Sequence, residues 1–133
     1  MGTRNQAVAL AGMIGLVVAA SIGNTGPAHA EEASAKPDVE LTIVAVQYEG
    51  TKVWVPATIA VSEGDRVKVN LINKIPTDPA QHGWAIDAFK VAKVVNRGEP
   101  TTVEFVADKE GVFPIYCQLH PAHVGGQLIV LDD

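Results

Sequence analysis

The chain contains very little sulfur. Among its 133 residues there are one cysteine, Cys117, and two methionines, Met1 and Met13, both near the N-terminus. A single cysteine excludes an intramolecular disulfide, so Cys117 is a free thiol, half of an intermolecular bridge or a metal ligand. If the N-terminal segment is removed after export, no methionine is left, and a thioether is then excluded as a metal ligand.

The chain also lacks clusters of basic residues and any sustained helical periodicity. Its formal net charge is −5, and an acidic chain without a basic patch argues against nucleic acid and anionic membranes as partners. No stretch of about ten residues repeats its apolar positions with the period of a helix. The length of 133 residues is sufficient for one small domain.

The first thirty residues have the layout of a secretory signal peptide. Arg4 precedes an apolar run from Ala7 to Ile22, and Ala28-His29-Ala30 offers a small-x-small cleavage site. An uncleaved membrane anchor is the alternative, since about 17 apolar residues can just span a bilayer. We predict a signal peptide at residues 1–30, a flexible leader at 31–38 and a folded domain at 39–133. The mature protein is expected in the periplasm or otherwise exported, without a membrane attachment.

The rest of the chain is predicted to form short β-strands separated by turns. From Arg66 to Ile72 polar and apolar residues alternate, which places Val67, Val69 and Leu71 on one inward face. Other apolar segments of similar length are separated by turns rich in glycine, proline and aspartate. Seven to eight such strands indicate an all-β sandwich.

A candidate metal-binding segment joins the last two predicted strands. Cys117, His120 and His123 have the spacing C-x2-H-x2-H. A thiolate with imidazoles is a donor set that copper and zinc share, and the Irving–Williams order favours copper. Because three ligands on one loop rarely complete a coordination sphere, we expect another from elsewhere. His82, which begins a strand after a proline-containing loop, is the candidate.

Each of these residues also has an interpretation without a metal. Cys117 could pack as a small apolar side chain in the core. His82 and His120 could be ordinary histidines of a strand and a loop, and His123 could face the solvent. Asp87 is either a carboxylate that supports a metal ligand or an ordinary turn residue.

Two segments carry a family resemblance. Gly111 to His120, with the sequence Gly-Val-Phe-Pro-Ile-Tyr-Cys-Gln-Leu-His, resembles the final strand and ligand loop of cupredoxins. His82-Gly83-Trp84 is similar to the upstream ligand segment of that superfamily, including the CuA domains. The resemblance implies a cupredoxin-like Greek-key β-sandwich with one copper ion per chain.

Within the superfamily, the chain most resembles the nitrosocyanin group, the red copper proteins. This resemblance covers most of Ser62 to Leu131 and includes Glu63-Gly64-Asp65, Ile86-Asp87-Ala88-Phe89, Phe105-Val106-Ala107-Asp108-Lys109 and Cys117-Gln118-Leu119-His120-Pro121.

Two features depart from the nitrosocyanin pattern. His82 stands where that group has a glutamate, and the spacing from His120 to His123 is shorter by two residues. Blue copper relatives with the motif C-x2-H-x2-M have an axial methionine at the position of His123. We therefore predict His123 as the fourth ligand beside His82, Cys117 and His120. The alternatives for this position are Gln81, a backbone oxygen or water.

The resemblance implies a periplasmic mononuclear copper protein that carries single electrons. In the family, electrons pass through an apolar patch around the loop histidine, which implies docking of a redox partner near Pro121, Ala122 and Val124. The alternative is a copper redox enzyme or sensor that binds nitric oxide or another small molecule at an open copper position. Whether the protein is an enzyme therefore stays open, and a homotrimer is implied only by the red copper resemblance.

Overall fold

A computed structural model describes residues 37–132, and nearly all of its regular structure is β-strand. One short 3-10 helix, Asp87–Phe89, follows the fifth strand. No helix within this range is long and apolar enough to cross a membrane. The predicted signal peptide and most of the predicted leader lie outside the described residues. The strands are β1 (Val39–Tyr48), β2 (Thr51–Val55), β3 (Thr58–Ser62), β4 (Arg66–Asn73), β5 (Gln81–Ile86), β6 (Val91–Asn96), β7 (Thr101–Val106), β8 (Gly111–Ile115) and β9 (Gly126–Leu131).

The strands form two layers, which confirms the predicted sandwich. One layer is the sheet β2-β1-β4-β7, and the other contains β3-β9-β8 followed by the β5-β6 hairpin. The hairpin joins β8 because Ala85 and Tyr116 exchange backbone hydrogen bonds of 2.9 and 3.1 Å. This antiparallel bridge aligns the start of β5 with the residues that follow Tyr116. His82 is thereby placed beside the loop that carries Cys117.

The described residues contain nine strands, one more than the upper end of the predicted range. β2 pairs with β1 in the first layer, whereas β3 pairs in parallel with β9 in the second. Pro56 lies between them and has no N–H to donate to a ladder, so one pairing ends before the other begins. This edge segment therefore crosses between the layers and counts as two strands.

The core between the layers follows from the alternation along the strands. Val67, Val69 and Leu71 are all buried, so the predicted inward face of β4 is confirmed. Trp84 and Leu128 are among the largest buried side chains of the opposite layer. Each fully buried apolar side chain stabilises the fold by about 1.5–3 kcal/mol. The packing of Trp84 in this core fixes β5, and β5 carries His82.

Candidate metal centre

Four side chains from two distant parts of the chain meet in the structure. Their potential ligand atoms all lie within 4.8 Å of one another. The centroids of the three imidazole rings are 4.6 to 5.2 Å apart. We call this group the donor cluster, and its members are His82, Cys117, His120 and His123. The structure thus brings together the four residues that the sequence predicts as metal ligands.

His82 is the member of the donor cluster that comes from the core. It is the second residue of β5, and the alternation along that strand directs its ring to the same side as Trp84 and Ile86. Only 1% of His82 is exposed. Both ring nitrogens are buried and have no hydrogen-bond partner among the described residues. A buried polar group left in this condition costs about 1–3 kcal/mol.

A metal ion fits this observation because it would provide a partner for one of the two ring nitrogens of His82. Burial lowers the pKa of His82 to about 4, and repulsion from Lys52 and from His123 in its protonated form acts in the same direction. Burial and the neighbouring His120 also lower the pKa of His123. Both rings are therefore neutral at neutral pH, which is the form in which histidine binds a metal.

Two successive turns carry the other members of the donor cluster. The backbone N–H of His120 donates to the carbonyl of Cys117 at 3.2 Å, and that of His123 donates to the carbonyl of His120 at 3.0 Å. Each turn advances the chain by three residues, and side chains three apart in such turns lie on the same side. The C-x2-H-x2-H spacing therefore presents a thiol and two imidazoles together. His123 lies within reach, with its ring centroid 4.9 Å from that of His82.

Two glycines allow this loop to return to β9. A β-carbon at Gly126 would overlap the carbonyl oxygen of Ala57, and one at Gly125 would lie 2.8 Å from the carbonyl oxygen of Ile115. Both obstacles are backbone atoms, which cannot move aside as a flexible side chain can. The loop can therefore close at this point only where the chain has no side chain.

The sulfur of Cys117 is buried and accepts a backbone hydrogen bond. The Gly83 N–H donates to Sγ at 3.1 Å, and only 4% of Cys117 is exposed. Sγ lies 3.5 Å from Nδ1 of His120. Bonds of about 2.3 Å to sulfur and about 2.0 Å to nitrogen in a tetrahedral site put the two ligand atoms about 3.5 Å apart. This pair is therefore spaced as two ligands of one metal ion.

Asn73 is a supporting residue that directly follows the alternating run from Arg66 to Ile72. Its Nδ2 donates to the carbonyls of Ala80 at 2.9 Å and Val95 at 3.2 Å, and its Oδ1 accepts from the backbone N–H of Ile75 at 3.0 Å. Asn73 thereby ties down the segment that leads into β5. The signal in the sequence is that Asn73, two residues after Leu71, occupies the next inward position of β4.

Two other residues considered for the site lie outside the donor cluster. Gln81 is exposed, and its Nε2 donates to Oδ1 of Asn96 at 2.9 Å. It precedes His82 in the strand, and consecutive strand residues point to opposite faces. Asp87 accepts a hydrogen bond of 2.6 Å from the hydroxyl of Tyr116, and this bond raises the pKa of Tyr116. Asp87 therefore supports the neighbour of Cys117 and no histidine of the cluster.

The ligand-bearing loop also forms an apolar surface. Pro121 and Ala122 are exposed, and 52% of Val124 is exposed. His120 and His123, in the same loop, are each partly exposed. The donor cluster therefore reaches the protein surface through its two loop histidines, which have apolar residues directly beside them.

Comparison with known proteins supports this description. The family model of the cupredoxin-like domain matches residues 12–130. A nitrous-oxide reductase of Cupriavidus necator is 44% identical over 55 residues, which are 41% of this chain and 9% of that protein. The chain thus spans about a tenth of the length of the curated relatives it matches.

Two solved structures share the fold. A copper nitrite reductase from Nitrosomonas europaea superposes with a TM-score of 0.60 at 22% identity, over 71% of this chain and 41% of that one. The periplasmic domain of subunit II of the cytochrome oxidase of Bradyrhizobium japonicum superposes with a TM-score of 0.54 at 19% identity, over 74% of this chain and 88% of that one. At these identities, the likeness concerns the fold, and it confirms the predicted cupredoxin-like sandwich.

Proposed function

The chain belongs to the cupredoxin-like family, and we propose that its donor cluster binds one copper ion and that the protein carries single electrons outside the cytoplasm. The observation that carries this proposal is the convergence of one thiol and three imidazoles, with all ligand atoms within 4.8 Å of one another. The unpartnered ring of buried His82 supports it independently.

The chemistry of the donor cluster favours copper. One soft thiolate and three imidazole nitrogens suit copper and zinc, and copper(II) is the tightest-bound divalent ion of the Irving–Williams order. No carboxylate belongs to the cluster that the described residues form, so hard ions such as magnesium and calcium are poor candidates. Family membership makes copper our choice over zinc.

A one-electron carrier needs ligands that keep their positions, and the chain provides this in two ways. Core packing holds His82 in β5, and the two turns hold Cys117 and the loop histidines. The burial of Cys117 shields its sulfur from water. The hydrogen bond from the Gly83 N–H withdraws electron density from the sulfur. When bound, copper supplies the one-electron redox step itself.

Docking of a redox partner is proposed at the loop that carries Cys117, His120 and His123. Pro121, Ala122 and Val124 offer an exposed apolar surface beside the partly exposed His120. Such a surface suits brief contact with another protein, and it places a ligand ring directly at the contact.

The proposed location is the periplasm or another exported compartment. The signal-peptide pattern of residues 1–30 supports it, and one structural neighbour is itself described as a periplasmic domain. Membership of the red copper group and a trimeric assembly remain predictions from the motif resemblance alone.

A second candidate function is small-molecule chemistry at the metal. Partial exposure of His120 and His123 favours it, because the side of the cluster that they occupy is open to solvent. A copper redox enzyme or sensor would bind nitric oxide or a similar molecule from this side.

Spectroscopy of the copper-loaded protein separates the two functions. A carrier should show an intense thiolate-to-copper absorption band, a reversible one-electron couple, and no spectral change on adding azide or nitric oxide. A clear change on adding either molecule would favour the enzyme or sensor. Absence of any thiolate-to-copper band in the loaded protein would contradict both functions.

A further inference from the structure

Both backbone polar groups of Gly83 form hydrogen bonds with distant side chains. Its N–H donates to Sγ of Cys117 at 3.1 Å, and its carbonyl accepts from Nε1 of Trp54 at 2.8 Å. Gly83 is buried and follows His82 directly in β5. A displacement of this one residue would therefore disturb the strand at His82 and the hydrogen bond to the sulfur at the same time.

The side-chain amide of Gln118 occupies the space above Gly83. A β-carbon at Gly83 would overlap that amide and would lie 3.0 Å from the backbone nitrogen of Gln118. Glycine is therefore the residue that allows Gln118 to lie against β5. Since Gln118 directly follows Cys117, this contact connects the ligand-bearing loop to the strand of His82.

The amide of Gln118 is anchored at one end only. Its Nε2 donates to the carbonyl of Lys93 at 3.0 Å, in the neighbouring strand β6. Its Oε1 is buried and has no hydrogen-bond partner among residues 37–132. A buried carbonyl oxygen without a hydrogen-bond partner is unfavourable, so another contact of the amide has to offset this cost. The contact it makes is with Gly83.

We propose that Gln118 is a positioning residue for the copper site, whose amide braces Gly83 so that the Gly83 N–H stays directed at Sγ of Cys117. This inference rests on the proposed function. A hydrogen bond to a thiolate withdraws electron density from the sulfur, which favours the reduced metal and raises the reduction potential. Loss of the brace should weaken the hydrogen bond and lower the potential.

The test compares Gln118→Met with Gln127→Met in the copper-loaded protein. Methionine has a similar length and lacks the amide, and Gln127 is an exposed glutamine in β9. The reduction potential of Gln118→Met should fall by about 59 mV, a tenfold change in the ratio of reduced to oxidised protein at a fixed potential. In the reduced protein, NMR should show amide hydrogen exchange at Gly83 accelerated by about tenfold or more. Gln127→Met should change neither value.

Gly83→Ala provides a second test, because the added β-carbon forces the amide away. This variant should also lower the reduction potential. The fall in the double variant, Gly83→Ala with Gln118→Met, should be no larger than the larger of the two single falls. An unchanged potential in Gln118→Met, or additive shifts in the double variant, would overturn the role of Gln118. If the wild type itself lacks the thiolate-to-copper band, the proposed function fails together with this inference.

Discussion

His82 and the three loop residues of the proposed metal centre are supported in different ways. His82 lies in a strand, is 1% exposed and depends on core packing, since its ring has no hydrogen bond among the described residues. The loop donors depend on two backbone hydrogen bonds of 3.2 and 3.0 Å, and His120 and His123 are partly exposed. One side of the site is therefore built by the fold and the other by a local turn sequence.

This difference predicts that the strand side of the site is preformed and that the loop side can vary in sequence. The position of His82 is stabilised by the same packing that stabilises the sandwich, so it should persist without metal. Loops on a rigid scaffold tolerate change better than the elements they join. The residue at the proposed fourth ligand position, His123, can therefore differ between relatives without a change of fold.

The largest expected effect comes from removing the sulfur from the loop side. Cys117→Ser keeps the size of the side chain but lacks the thiolate, so it should abolish the intense thiolate-to-copper band. Absorption spectra of the copper-loaded variant and wild type at equal concentration would show this. The urea midpoint of the metal-free variant serves as the folding control. Survival of the band would contradict the assignment of Cys117 as a ligand.

The next largest effect should come from the strand side. His82→Ala removes a donor from a position that is closed to bulk water, so solvent cannot easily replace it. Loss of a residue that merely supports a ligand costs about 10–100-fold in metal affinity, and loss of His82 should cost more than this. Competition titration with a copper chelator measures the affinity. A copper affinity equal to that of the wild type would show that His82 is not a ligand.

Asn73 allows the support of the strand side to be tested without touching a ligand. Asn73→Ala removes a hydrogen bond to the carbonyl of Ala80 and the two buried hydrogen bonds to the backbone of Ile75 and Val95, so the free energy of unfolding should fall by about 1–3 kcal/mol. Urea denaturation of the metal-free protein measures it.

Asn70 is a matched control for Asn73 in the same strand. Asn70 lies in β4 on the opposite face, where its hydrogen bonds with Glu40 and Thr102 are both exposed. Asn70→Ala should change the free energy of unfolding by no more than about 0.5 kcal/mol. Equal losses in the two variants would show that the buried network of Asn73 adds nothing.

A smaller effect is expected from His123→Ala on the loop side. His123 is partly exposed, so water can take its place, and the loss of affinity should be about tenfold, the lower end of the range for a supporting residue. The absorption and EPR spectra should change because a nitrogen donor is lost. If neither affinity nor spectrum changes, His123 is not a ligand. A loss of copper affinity larger than that of His82→Ala would show that the loop side contributes more to binding than the strand side.

The remaining prediction concerns how the stability of the metal-free protein depends on pH. The pKa of His82 is about 4 in the folded state and close to 6.5 when the chain is unfolded. Above about pH 6.5 the ring is neutral in both states and contributes no pH dependence. Between about pH 6.5 and 4 the unfolded state binds the proton preferentially, so stability falls as the pH is lowered.

Subtraction isolates this contribution from the carboxylates that also titrate at low pH. Urea midpoints of wild type and His82→Ala at pH 7.5, 5.5 and 4 give the comparison, and the fall should be steeper in wild type. Parallel curves would contradict a lowered pKa of buried His82.

The sequence was sufficient for those parts of the site and fold that depend on local pattern. The alternation around Val69 predicted the inward face of β4, and the spacing from Cys117 to His123 predicted three donors in one loop. A spacing of three residues matches the advance of each turn, which explains why the histidines emerge on one side.

Features that depend on long-range contacts could not be predicted in this way. The change of layer at Pro56 depends on pairing with β1 and β9, which no local pattern specifies. The contact of Gln118 with Gly83 joins residues that are far apart in sequence, and neither spacing nor alternation along the chain pairs them. Asn73 was readable from its alternation with Leu71, but its partners in the segment before β5 and in β6 were not.

X-ray absorption of the copper-loaded wild-type protein tests the central claim most directly. The claim is that one copper ion is held jointly by a strand histidine and by the thiol and two histidines of the loop. The account predicts one sulfur and three imidazole nitrogens around one copper ion per chain. A copper shell without sulfur, or with fewer than three imidazoles, would contradict it.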